Sequence, residues 1–171
     1  MKTFHIEVKN KTGLLCRHKA LGAFKNVQGT REQFLTFTTQ RHAIAEGFVD
    51  LLVRARDLCV DPRLKKCLAQ NWNDETGGDD PNASHAVWRE DYIHALGIDG
   101  VQAESFAGTR QYVDTLAELI QSGNALGIAG AILFLEHSTP PEFTCLQKTR
   151  DRWFPHLTPR AKLYLDDHIR H

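Results

Sequence analysis

Asn71-Trp-Asn-Asp-Glu-Thr-Gly-Gly-Asp-Asp-Pro-Asn-Ala-Ser-His85 decides how the chain is read, because it puts a glutamate at the end of one predicted helix and a histidine at the start of the next. Glu75 follows Leu64, Leu68 and Asn71 by eleven, seven and four residues, so a helix that turns those leucines inward turns the carboxylate inward as well. His85 precedes Trp88, Tyr92 and Leu96 by three, seven and eleven residues and shares their face. A carboxylate aimed into an apolar interior is costly unless something pairs with it or binds it. A metal ion is the first candidate.

Working outward, Asp61-Pro62 supplies an N-cap and an N1 proline for the helix that carries Glu75, and Gly77-Gly78 ends it. Asn82 or Ser84 caps the following helix, which continues to Leu96 and stops at Gly97. Upstream, Thr30-Arg-Glu-Gln33 has the form of a capping box before a long helix through Phe34, Ile44, Phe48 and Leu52 to near Cys59. Residues 1 to 29 are ambiguous: Phe4, Ile6 and Val8 alternate as in a strand, whereas Leu14, Leu15 and Leu21 suit a helix. Downstream, a helix is predicted from about Glu104 to Ser122, closed by Gly123. Residues 125 to 136 are apolar nearly all round, which marks a buried central helix. Pro140-Pro141 is expected to interrupt it before a polar helix containing Cys145 and Leu146, and Thr158-Pro159 opens a last helix through His168. The expectation is one all-α domain of about seven helices.

Four potential ligands then stand on four helices, each within an apolar stripe: Glu75, His85, Glu136 and His168. Glu136 follows Ile128, Ala129, Ile132 and Leu133 by eight, seven, four and three residues, and His168 follows Tyr164 and Leu165 in the same sense. Carboxylates and imidazoles projecting from facing helices are how helical bundles hold two iron or manganese ions. The plainer reading is a set of hydrogen-bonded core histidines and exposed helix-end glutamates. His42 and Glu46, one turn apart, fit either further ligands or an ion pair.

The same stretch resembles the signature of heme-oxygenase-like diiron oxidases, and the resemblance extends over about residues 30 to 171. It implies a heme-oxygenase-like helical bundle in which Glu75, His85 and Glu136 bind iron and His168 opens a terminal His-x3-Asp-x2-His motif. The Asp and His of that motif would fall at positions 172 and 175, past His171, so the expectation is a C-terminally incomplete domain. Asp167 and His171, one turn apart, would substitute only with a different helix register. The implied function is a nonheme diiron, or iron and manganese, oxidase or oxygenase that uses dioxygen to oxidise a small amino-acid-like or organic substrate. A homodimer is compatible with it. The rivals are a metal-free all-α binding or regulatory protein and a thiaminase-type hydrolase. The hydrolases carry a cysteine in the central helix, where this chain has Glu136.

Composition agrees with that class. Lys plus Arg equals Asp plus Glu at 21 each, which removes the electrostatic reason to expect nucleic acid or an anionic membrane as partner. No apolar run approaches the ~20 residues of a membrane span, and the N-terminus lacks the apolar core of a signal peptide, so a cytoplasmic protein is expected. Cys16, Cys59, Cys67 and Cys145 form no CxxC pair and read as reduced thiols.

Overall fold

The computed structural model describes residue 14, residues 17–98 and residues 105–170. Seven α-helices occur among these residues: α1 (Lys19–Lys25), α2 (Arg31–Leu58), α3 (Pro62–Thr76), α4 (His85–Ala95), α5 (Ala107–Gln121), α6 (Ala125–Trp153) and α7 (Pro159–Arg170). One 3-10 turn, Pro81–Ala83, lies between α3 and α4. The alternating Phe4, Ile6 and Val8 fall outside the described residues, whereas Leu21 is buried in α1.

Local chemistry sets most of these boundaries. The Thr30 hydroxyl accepts from the Gln33 N–H at 3.1 Å while the Gln33 side chain accepts from the Thr30 N–H at 2.9 Å, closing a reciprocal capping box at the start of α2. Asp61 accepts from the N–H groups of Arg63 and Leu64 at 2.8 and 3.2 Å, and Pro62 occupies the first turn of α3. Ser84, rather than Asn82, caps α4 by accepting from the Val87 N–H at 3.1 Å. The Asn82 carbonyl instead receives Trp88 Nε1 at 3.0 Å and Arg160 Nη2 at 3.1 Å, which ties the turn between α3 and α4 to α7.

Gly77 ends α3 with φ +83°. A Cβ there would meet the Asp80 carbonyl and lie 2.9 Å from the Ser84 nitrogen, within the turn that sets Glu75 against His85. Gly77→Ala should therefore destabilise the fold by roughly 1–3 kcal/mol, since the left-handed conformation disfavours any Cβ and the turn leaves no room for one. Thermal denaturation against wild type checks this, and an unchanged midpoint would contradict it.

The expected break at Pro140-Pro141 does not occur, because α6 runs unbroken from Ala125 to Trp153 with both prolines inside it. Each proline removes the N–H that would bond four residues back, at Glu136 and His137, at a cost of about 3 kcal/mol in an ordinary helix interior. Burial on both sides offsets this: Ile128, Ile132 and Leu135 precede the prolines and Phe143, Cys145 and Leu146 follow them, all buried. The Ser138 and Thr139 hydroxyls both donate to the Leu135 carbonyl, and the Thr144 hydroxyl donates to that of Pro140.

The apolar interior forms two clusters, and α6 passes through both. One joins the C-terminal half of α2 with Leu68, Leu116, Ile120, Ile128 and Leu135. The other joins Leu21, Phe34, Tyr92, Phe143, Tyr164 and Leu165. Glu136 follows Leu135 of the first cluster on the helix that next supplies Phe143 to the second, so the polar site lies where the two apolar volumes meet. No described helix is long and apolar enough to cross a membrane.

Candidate metal centre

Four helices deliver the sequence-predicted ligands to one place. Glu75 comes from the last turn of α3, His85 from the first residue of α4, Glu136 from the middle of α6, and His168 from the last turn of α7. All four line a single cavity of about 500 Å³. Glu75 Oε1 lies 2.9 Å from His85 Nδ1, and His85 Nε2 lies 3.5 Å from Asp167 Oδ2. The rings of His85 and His168 are 4.3 Å apart between centroids. One ligand atom from each of Glu75, His85 and His168 falls within 4.8 Å of the other two.

Glu136 enters the same cavity but stands outside that tightest group. Its Oε1 accepts from Asn71 Nδ2 at 2.9 Å, so the asparagine one turn before Glu75 orients the second carboxylate. Although water reaches Glu136 through the cavity, the surrounding protein and then the negative charge of Glu75 push its carboxyl up to about 7. A carboxyl group whose proton affinity is raised by a neighbouring carboxylate forms, with that neighbour, a donor set for a cation.

The two histidines are shifted in opposite directions. Burial disfavours a charge on His85, but its hydrogen bond to Glu75 and the charges of Glu75 and Asp167 outweigh this, and its pKa rises. His85 between two carboxylates stands where a metal cation would do the same neutralising, and metal binding would compete with its protonation. His168 is held neutral instead, its pKa lowered to about 4 by burial first and by the charge of His85 second. His168 Nδ1 lies 2.7 Å from the Tyr164 carbonyl, which can only accept, so the proton of the neutral ring sits on Nδ1 and the Nε2 lone pair is left for a ligand role. A metal-ligating histidine has that arrangement. The residues present therefore fit a metal ion.

The remaining candidates separate. Asp167 belongs to the site through its contact with His85 and its place on the cavity wall. His42 makes an ion pair with Glu46 at 3.5 Å and approaches Glu90 at 4.0 Å, and neither His42 nor Glu46 lines the cavity. His171 lies outside the described residues.

A family model described as an iron-containing redox enzyme matches residues 35–170, a span that contains all four principal candidates and Asp167. The chain belongs to this family. No curated protein matches it. Membership accounts for the fold, a heme-oxygenase-like all-α bundle, and supports an oxidoreductase that works with iron. In this member of the family the polar partners around the candidate ligands were not legible in the sequence. Asn71 was visible only as a member of the Glu75 stripe, and its placement four residues before Glu75 was the available signal. Arg41, which donates to Glu142 at 3.1 Å and to the Thr139 hydroxyl, gave no signal, because its acceptors lie about a hundred residues away.

Proposed function

We propose that the protein is a nonheme diiron oxidase or oxygenase, with manganese as an alternative occupant, which uses dioxygen to oxidise a small organic or amino-acid-like substrate. The observation that carries this is the grouping of Glu75, His85 and His168 ligand atoms within 4.8 Å, with Glu136 and Asp167 on the same cavity wall, in a chain of an iron-dependent family. Glu75, His85 and His168 would hold one ion, and Glu136 with Asp167 would supply carboxylates to the second. Bound iron supplies the electrons for reducing dioxygen. The chain's own residues do the rest. Asn71 fixes the Glu136 carboxylate, the Tyr164 carbonyl fixes the His168 ring, and Glu75 and Asp167 flank the two ring nitrogens of His85 and set its orientation. Trp88 lines the cavity with its ring 5.4 Å from that of His85 and limits the approach of water to it.

The test is dioxygen consumption by protein loaded anaerobically with Fe(II). Wild type should consume dioxygen in proportion to bound iron, and Glu136→Ala should lose the second iron and the uptake while keeping its helical content. Retention of both irons and of the wild-type rate in Glu136→Ala would make Glu136 a packing residue and remove the case for a two-ion site.

A further inference from the structure

We propose that the open, mainly apolar cavity between α1, α2, α5 and α6 is the substrate pocket, and that it takes an elongated apolar molecule ending in one uncharged hydrogen-bonding group such as an amide or an alcohol. Its role as a substrate pocket rests on the iron reading above, of which it selects the organic substrate over the amino-acid-like one. Its binding preference does not.

The cavity encloses about 790 Å³, within the range of about 300–1,000 Å³ that holds drug-sized molecules. It follows α2 from Gln33, near the exposed start of the helix, to Ile44. Those eleven steps span roughly 16 Å at the helical rise of 1.5 Å per residue, the length of an extended chain of about a dozen carbons. Ala23, Phe24, Phe37, Ile44, Phe106 and Phe134 make the greater part of its exposed wall area, so most of a bound molecule meets apolar surface, although Glu32, Gln33 and Thr36 at the α2 start and Tyr112 and Ser138 also line it. Gln40 also lines it, but Gln40 Oε1 already accepts from the Phe106 N–H and the Thr109 hydroxyl, both at 2.8 Å.

The polar end is Arg41 with Glu142, 3.1 Å apart, their side chains only 12% and 14% exposed. This end abuts the candidate metal centre, because Arg41 and Ile44 also border the narrow gap lined by Glu75, Glu136 and His168. The pair balances its own charge. A buried carboxylate or ammonium head would leave one unit of net charge in a place with little water, and a carboxylate would have to displace Glu142 from Arg41. An uncharged head avoids both costs. It can accept from the guanidinium N–H groups not engaged by Glu142 and Thr139, or donate to the second oxygen of Glu142.

The experiment is equilibrium binding of N-phenylnaphthylamine, an uncharged dye that brightens in apolar surroundings, to chelator-treated and iron-loaded full chain, with competition by decanol, decanamide, decanoate and decylamine. Decanol and decanamide should displace the dye at concentrations roughly tenfold or more below those needed of the two charged compounds. Thr36→Trp, an exposed position on the cavity wall, should weaken dye binding roughly tenfold without changing helical content. Glu142→Gln, which leaves Arg41 uncompensated, should reverse the order and make decanoate the best competitor. Absence of dye binding, dye binding untouched by Thr36→Trp, or decanoate as the strongest competitor of wild type would each overturn the proposal, and these results hold even if Glu142→Gln fails to fold. Iron uptake without dye binding would leave the metal centre standing and sink the pocket. Dye binding with the expected order but no iron uptake would keep the ligand preference and remove its role in oxidation.

Discussion

Glu75→Ala is expected to weaken Fe(II) binding by more than about 100-fold, the largest single effect in the molecule, while leaving the metal-free fold intact. Loss of an outer partner of a metal ligand already costs 10–100-fold, and under the proposed iron reading Glu75 would be both a ligand and the partner of His85 at 2.9 Å. Its removal also ends the repulsion that helps hold the Glu136 carboxyl at about 7. The sign of the linked pH effect follows. In wild type, folded Glu136 keeps a proton that the unfolded chain, with an ordinary value of 4.5, has already released. Glu136 by itself therefore makes metal-free stability fall as pH rises from about 4.5 to about 7, while His168, with its pKa lowered to about 4, makes it rise over nearly the same range, so in wild type the two contributions largely offset. In Glu75→Ala the Glu136 contribution should shrink, and the slope of stability against pH should be more positive than in wild type. Denaturation of chelator-treated protein across this range measures it, and equal slopes in the two proteins would show that the carboxylates do not interact.

The largest stability effect should come from Arg150→Leu, at roughly 3 kcal/mol. The guanidinium is 2% exposed and donates to Asp166 Oδ1 at 2.8 Å and to Asp151 Oδ1 at 2.9 Å, joining α6 to α7. Breaking a buried pair by removing one member costs roughly 3–5 kcal/mol because the other charge is stranded. The lower end applies here, since both carboxylates keep access to water and Gln147 still reaches Asp166 at 3.2 Å. Adding Asp166→Asn to Arg150→Leu should recover part of the loss by removing the stranded charge. Because Asp166 immediately precedes Asp167 and His168, the single variant should also bind iron less tightly. A loss under about 1 kcal/mol in urea denaturation would show that the pair is a minor contributor.

Most of the fold was legible because its signals are local. The Thr30 to Gln33 capping box, the Asp61 cap with Pro62, the left-handed Gly77 and the Ser84 cap act within a few residues, and the sequence carries them openly. The continuity of α6 was hidden for the converse reason. The prolines argue locally for a break, and the burial of Leu135 and Phe143 that overrides them depends on distant helices. At the site, Glu75, His85, Glu136 and His168 were found through stripes on their own helices. Asp167 was legible only as a substitute ligand requiring a different helix register, because the family motif puts its aspartate four residues after His168. The chain instead brings Asp167, one residue before it, to His85. Asn71 could be placed on the Glu75 face, but not its bond to a carboxylate sixty-five residues later.

The central claim is that Glu75, His85 and His168 converge to hold iron, and the most direct measurement is X-ray absorption at the iron edge of the protein loaded anaerobically with Fe(II). The expected spectrum has oxygen and nitrogen neighbours only, with the outer-shell scattering of imidazole, and that imidazole signal falls in His168→Ala. Iron that binds with sulfur neighbours, or without imidazole scattering, would contradict the account.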